Sequence, residues 1–389
     1  MSNKNWETKK LEDLLEYIQP TKYIVKSTEY NDNYKTPVLT AGKTFILGKT
    51  NETEGIFENV PVIIFDDFTT ANKLVNFKFK VKSSAMKILK PKNEDVNLLF
   101  VYYYMQTLRV SFDTHKRYWI SVFSKLPIPL PNTETQHIIV SKIEELFSEL
   151  DQGIADLKTA QAQLKVYRQS VLKHAFEGKL TNKNVKEGEL PEGWEVDELK
   201  DVCVVKRGKS KHRPRNAPEL YGGNYPFIQT GDIRNANGGY IKKYSQTYSE
   251  IGLQQSKLWP KGTLCITIAA NIGETAILDF DACFPDSVVG LLTDEKVLYN
   301  KFLNYFFISF KQKLEELAPA TAQKNINVNI LENIKLPITS LEEQHQIVQE
   351  IESRLSVADK MEESIQESLQ KAEALRQSIL KKAFSGELV

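Results

Sequence analysis

At 389 residues the chain is long enough for two or three domains, each with its own core. With 41% hydrophobic and 26% charged residues it has an ordinary globular composition, and no apolar run approaches the roughly 20 residues of a membrane span. Cys203, Cys265 and Cys283 lack zinc spacing, and their odd number argues against a disulfide framework. Together with the lack of a secretory leader pattern, this gives the expectation of free thiols in a cytoplasmic protein.

The net charge of +1 hides an uneven distribution. Residues 1–133 hold 19 basic and 14 acidic residues, whereas residues 339–389 hold 6 and 10. The segments between them, 134–185 and 186–338, are balanced.

The first element of interest is "AGKTFILGKT", residues 41–50, with Gly-Lys-Thr twice. A phosphate loop needs a further glycine five residues before each Gly-Lys-Thr, so that backbone N–H groups curl around the phosphates. Those positions hold Pro37 and Lys43, and "NETEG" after them reads as a turn rather than a capped helix. A strand, a basic glycine turn and a second strand fit the stretch better than a nucleotide site. Further on, "VPVIIF" reads as a strand and "FVYYYM" as a buried aromatic helix. "THKRYW" is a polar loop before an extended Lys-Leu-Pro-Ile tract.

A long helix poor in glycine and proline follows, from about Glu134 to Glu177. Its apolar residues Ile143, Phe147, Leu150, Ile154, Leu157, Leu164 and Val171 alternate by fours and threes, a seam narrow enough for a coiled coil. Next comes "KRGKSKHRPR", residues 206–215, with six Lys/Arg and no acid, the composition of a phosphate-contacting tract. "YPFIQTG" reads as a strand ahead of the polar loop "GDIRNANGG". "GTLCITIAA" is another strand, "FLNYFF" a second aromatic helix, and "ATAQKN" a polar loop. The chain closes on a second long helix, about Glu342 to Ser385, with seam residues Ile351, Leu355, Ala358, Ile365, Leu369, Ala372 and Ile379. Both helices end on Phe-x-Gly, where the glycine is a natural C-terminal stop.

The two long helices are copies. From Gln136 to Thr181, 17 of 46 residues recur in the stretch that begins at Gln344. The segments before them are distant copies too, "NWETKKLEDL" with "GWEVDELKDV" and "TPVLTAG" with "YPFIQTG". The order is therefore globe, helix, globe, helix. The polar seam residues Gln161, Arg168, Glu362 and Arg376 would fix register between the helices.

In that order, "LPEGWEVDEL", "YPFIQTGDI", "IGETAIL", "FPDSVVG" and the doubled "LPI…EEQHQIVQEIE…RQSILKKAFSGEL" closely resemble the specificity subunit of type I restriction-modification systems. The resemblance covers essentially the whole chain. It implies an α+β fold: two mixed β/α target recognition domains, residues 1–133 and 182–340, and two spacer helices, 134–181 and 341–389, paired as an antiparallel coiled coil. It also implies a bipartite double-stranded DNA target with unlike halves, two modification subunits that dock on the helices, and restriction subunits that join them. S-adenosylmethionine, ATP and magnesium belong to those partners, and this chain holds no cofactor or metal. The first globe resembles a subtype that reads a GAA-type triplet.

Candidate DNA contacts follow from side-chain type and loop position. In the first globe they are Lys43, Thr44 and Lys49 of the hairpin, Thr70, Asn72 and Lys73 of "DDFTTANK", and His115, Lys116 and Arg117 of "THKRYW". In the second, Lys206, Arg207, Lys209, Lys211, Arg213 and Arg215 suit phosphates. Thr230, Asp232, Arg234, Asn235 and Asn237 follow the strand, where arginine and asparagine are the types that read guanine and adenine. Gln323 and Lys324 complete the set.

Catalytic alternatives are weaker. "FPDSVVGLLTDEK" imitates a Pro-Asp…Asp-x-Lys nuclease signature, but its spacing is short and the first globe lacks it. There is no glycine-rich cofactor loop and no Asn/Asp-Pro-Pro-aromatic tetrapeptide of a methyltransferase. The histidines, His115, His137, His174, His212 and His345, form no metal spacing. A non-catalytic reader is the expectation, and a purely structural coiled-coil protein would not need two globes.

Overall fold

The computed structural model describes residues 6–40, 42, 44–110, 117–182, 184–211, 214–269, 271–318 and 325–388. The chain separates into two compact units, one of residues 1–159 with 365–389 and one of residues 160–364. Each unit therefore holds one globe, part of the first long helix and part of the second.

In the first unit, four antiparallel strands lie in the order Leu15–Ile18, Met86–Pro91, Val62–Asp66 and Asn72–Val75. The strand Val62–Asp66 is buried almost throughout, which is why "VPVIIF" is continuously apolar rather than alternating. Three further strands pair as Ile46–Thr50, Thr36–Leu39 and Lys80–Val81. The second Gly-Lys-Thr, residues 48–50, thus lies in the second arm of an antiparallel hairpin. Gly48 lies so close to Tyr30 that an added Cβ would come within 2.5 Å of that side chain. The glycine serves packing, not phosphate binding. "NETEG" turns around a buried cation: Glu52 takes the Lys80 ammonium at 3.0 Å, and the Glu54 carbonyl accepts its hydrogen bond at 2.6 Å.

In the second unit, five strands lie in the order Cys203–Arg207, Val288–Thr293, Leu264–Thr267, Thr275–Leu278 and Tyr240–Ile241, with only the last pair parallel. All three cysteines are buried free thiols, and burial pushes Cys203 up to about 12, so none is a poised nucleophile.

The long helices run Thr133–Phe176 and Leu341–Ser385, 44 and 45 residues. In each unit a short antiparallel ribbon leads into one of them. Glu7–Lys10 pairs with Pro127–Leu130, and Glu195–Glu198 pairs with Lys335–Ile338. The helix ends belong to the globe cores. Ile139, Val140 and Ile143 of one helix and Leu380, Ala383 and Phe384 of the other share a core with the first globe. Val171, Leu172 and Ala175, with Ile347, Val348 and Ile351, do the same in the second unit.

The phenylalanines of the two Phe-x-Gly ends have a role that the sequence pattern alone does not reveal. Phe384 packs edge-on against Phe100 and Tyr104 of the aromatic helix Leu98–Met105, with ring centroids 5.1 Å from each. Phe176 does the same against Phe302 and Phe306 of the helix Asn300–Leu317, at 5.1 and 5.4 Å. Gly178 and Gly386 then turn the chain at φ 71° and 78°, where a side chain would be strained.

Candidate nucleic-acid interface

Along the helix pair in the first unit, Ile143, Ala372 and Ile379 are buried, and Phe147, Leu150, Ile154, Leu157, Ile365 and Leu369 are half-buried. In the second unit Val171, Ile351 and Ala358 are buried, and Leu164 and Leu355 half-buried. Polar seam residues make cross-helix pairs. Arg376 meets Asp151 and lies 4.4 Å from the centre of the Phe147 ring. Arg168 reaches Asp359 at 2.6 Å and Glu362 at 2.9 Å. Lower positions on one helix meet higher positions on the other, so the two helices are antiparallel.

Each helix is also clamped to its globe by a buried glutamine that the sequence reading did not single out. Gln136 accepts from the Asn97 N–H at 2.9 Å and donates to the Pro131 carbonyl at 3.0 Å. Its repeat partner Gln344 accepts from the Tyr299 N–H at 2.8 Å and donates to the Val297 and Thr339 carbonyls at 2.9 and 2.8 Å. Asn97 and Tyr299 are the N-caps of the two aromatic helices, whose first N–H groups lack partners within the helix. The neighbouring histidines pack beside these clamps: His137 Nδ1 lies 3.0 Å from the Asn97 amide, and the His345 ring lies tilted against Tyr299, centroids 4.1 Å apart.

Among the candidate DNA contacts of the first globe, Thr44 is exposed at the hairpin turn, while the Lys49 ammonium donates to the Asp32 carbonyl at 3.2 Å. Thr70 sits at φ 57° in a turn organised by Asp66, whose carboxylate accepts from the Phe68 and Thr69 N–H groups at 2.9 Å. Asn72 is already engaged, donating to Thr70 O at 3.1 Å and accepting from Gln106. Lys73 lines a cleft of about 870 Å³ with Tyr103, Glu144, Asp151 and Arg376. In that cleft, burial, and after it the Glu144 carboxylate, push the Tyr103 phenol up to about 12.

Arg117 is exposed and positioned by its neighbours. The backbone carbonyl and carboxylate of buried Asp67 accept from the Tyr118 and Trp119 N–H groups, each at 2.8 Å. Lys87, equally buried, lies 3.5 Å from the same carboxylate. Lys43, His115, Lys116, Arg213, Gln323 and Lys324 fall outside the described residues.

In the second globe the basic tract begins as the strand Cys203–Arg207, with Lys206, Arg207, Lys211 and Arg215 exposed and Lys209 half-buried. It wraps the turn at Pro285-Asp286: the Gly208 N–H donates to Val288 O at 2.8 Å, and the Lys209 N–H to Phe284 O at 3.1 Å. Arg215 pairs with Asp286 at 2.7 Å. That ion pair gives Asp286 a structural partner. No three His, Cys, Asp or Glu side chains among the described residues are grouped to hold a metal.

"GDIRNANGG" departs from the expected polar loop. Residues Thr230–Ala236 form a short helix, ended by Asn237 in the left-handed conformation at φ 47°. The Asp232 carboxylate accepts from the Gln229 N–H at 2.8 Å at the start of this helix, and the Asn237 N–H donates to Arg234 O, which closes the last turn. Asp232 is therefore a capping group. Thr230 is half-buried, and Arg234, Asn235 and Asn237 are exposed. Asp232 and Asn235 border a cleft of about 390 Å³ with Lys242, Lys243 and Tyr244, which the sequence reading had not selected. Their signal was "KKY" on the exposed side of the loop that follows the strand Tyr240–Ile241.

Comparison with known proteins agrees with this architecture. The profile of the type I restriction modification DNA specificity domain matches residues 3–158 and 191–371. The EcoR124I/EcoR124II specificity subunit of Escherichia coli is 33% identical across 94% of this chain and 90% of its own length. Two solved chains share the fold at 19% identity. One, from work on complex assembly and conformational transition of the type I R-M system, has a TM-score of 0.75 and covers 100% of this chain and 99% of its own. The other, the HsdS subunit from Thermoanaerobacter tengcongensis, has a TM-score of 0.60 and covers 99% and 97%. With two globes, a paired helix set and a profile match over most of its length, this chain belongs to the type I restriction-modification DNA specificity family, whose non-catalytic subunits recognise a bipartite target.

Proposed function

We propose that the two globes read unlike halves of an asymmetric double-stranded DNA target on opposite strands, and that the long helices set the unread gap between the halves. The observation that carries this reading is the whole-length repeat. Two diverged recognition surfaces stand on two related helices of nearly equal length, which fits a target of two different halves held at one spacing. A helix of 44 residues extends about 65 Å at 1.5 Å per residue, enough to serve sites about one DNA turn, 34 Å, apart. Exposed Lys206, Arg207 and Lys211 supply phosphate contacts, and Arg234, Asn235 and Asn237 supply base contacts. The first half is GAA-like.

The helices also dock two modification subunits in the cytoplasm. Those subunits flip one adenine in each half out of the stack and methylate it from S-adenosylmethionine. Restriction subunits that hydrolyse ATP with magnesium join the same assembly. The test is co-expression with the modification subunit, followed by sequencing of methylated bases. Adenine methylation at one split sequence, absent when this chain is expressed alone, is the expected result. Methyl transfer by the purified chain alone would overturn it.

A further inference from the structure

The segment "QQSKLWP", residues 254–260, lies about fifty residues from the basic tract, yet the fold brings it alongside. Ser256 Oγ donates to the Lys209 carbonyl at 2.8 Å, which ties the segment to the tract. Two residues past Lys257, Trp259 is fully buried and stacks on Phe284 with ring centroids 4.8 Å apart. This stack needs Gly290 beneath it, since an added Cβ would come within 2.7 Å of the indole and 2.8 Å of the Phe284 ring.

Gly290 is the cross-strand partner of Lys206. Cross-strand partners project from the same face of a sheet, so Lys206 leaves the sheet on the side that Trp259 covers. Lys257 closes that arrangement, with its ammonium 3.7 Å from the indole centre. The attraction between ammonium and ring offsets part of the entropy lost in fixing a flexible lysine. Burial, and after it the Lys206 charge, hold the Lys257 pKa below its ordinary value. Neither lysine has an ion-pair partner among the described residues. Two like charges kept close without a counter-charge repel, and a shared anion removes that repulsion.

We propose that Lys257 and Lys206 clamp one DNA backbone phosphate beside the second half-site, with Lys257 held in place by Trp259. This rests on the second globe being a DNA reader. Phosphate contacts add affinity without sequence information and leave a salt signature.

The test compares Lys257→Met, which keeps the stem on the indole without charge, with Lys257→Arg. Each variant is assembled with its modification subunits and titrated against a 40-base-pair duplex carrying the methylated target, over a range of salt. Lys257→Met should lower the slope of log affinity against log salt by about 0.9. Lys257→Arg should restore it, with half-site preference and thermal midpoint unchanged. A joint Lys209→Ala and Lys211→Ala variant serves as the control for the tract. A wild-type slope in Lys257→Met, beside a reduced slope in the control, overturns the clamp and leaves the reader in place. An unchanged slope in both removes the phosphate-binding reading of the tract as well. Altered base preference in Lys257→Met also overturns the clamp, since a phosphate contact carries none. Should Lys257→Met fold poorly, Lys257→Gln gives the same slope readout.

Discussion

Arg168 on the first long helix lies 2.6 Å from Asp359 on the second, and in the other unit the repeat sets Arg376 against Asp151. The two arginines stand one repeat apart, as do the two aspartates, so each pair is the image of the other. Both arginine side chains retain 26% exposure and the aspartates far more, so the pairs are partly hydrated and add little net stability. Their effect is on direction and register. A parallel pairing, or one slipped by a heptad, would set these charges against other neighbours.

Reversing one of these charges tests the coupling. Arg168→Glu sets a carboxylate against Asp359 and Glu362 and should cost about 1 kcal/mol in urea unfolding. Adding Asp359→Arg should recover most of that loss. A double variant no more stable than the single one means that the pair is uncoupled.

Gln344 is the more consequential polar residue. Gln344→Leu strands the Tyr299 N–H and the Val297 and Thr339 carbonyls, of which the Thr339 one is buried, and each buried partner lost costs about 1–3 kcal/mol. A loss of about 3 kcal/mol is expected, with faster hydrogen exchange at the start of the helix Asn300–Leu317. A variant as stable as wild type would show that water satisfies these groups.

Glu343 makes the second unit sensitive to acid. Burial alone would raise its carboxyl, but hydrogen bonds from Thr339, Thr181, Asn182 and Trp194 outweigh it and hold the pKa below the ordinary 4.5. A folded pKa below the unfolded one stabilises the fold above pH 4.5, and that contribution disappears as pH falls through the folded value. Glu343→Gln should therefore be less stable than wild type at pH 7, with the difference shrinking as pH falls below 4.5. Parallel stability curves for the two proteins down to pH 3 would contradict this.

Helix length is the most mechanical quantity in the proposed reading. Four residues inserted after Leu157 add about 6 Å of helix, nearly two base pairs at about 3.4 Å each. The insertion also introduces a stutter in the seam, so some stability is lost. The methylated sequence should keep both halves while its gap changes by one or two base pairs. An unchanged gap in a folded variant would remove the helices as the ruler, and altered half-sites would reassign the globes.

The long helices were legible from their heptad spacing, the "VPVIIF" strand and the aromatic helices from short continuous apolar runs, and the repeat from self-similarity along the chain. The Gly-Lys-Thr hairpin was legible by elimination, since the glycine positions contradicted a phosphate loop. The helix Thr230–Ala236 was not, because seven residues with one buried position, Ile233, present no stripe, and its ends depend on the Asp232 and Asn237 caps. Gln136 and Gln344 carried no signal in the sequence beyond their place in the repeat. Only the tertiary fold sets the N-cap of an aromatic helix beside each of them. Lys257 was hidden for a similar reason, since its neighbour Lys206 is distant in the chain and its shelf, Trp259, is distinguished only by the bare Gly290 below.

The division of the long helices between units bears on how the chain is made. The first globe shares its core with Leu380, Ala383 and Phe384, which are made more than 200 residues after the rest of that globe. About 200 residues separate Thr159 from Ile365, a delay on the order of ten to forty seconds at ordinary elongation rates. During that time the first globe remains open along the aromatic helix that Phe384 will cover, and the second unit gains its last residue, Ser364, before that helix end is made. Completion order is thus the reverse of synthesis order, and a ribosome stalled between Ser364 and Leu380 leaves the first globe exposed to chaperones and proteases.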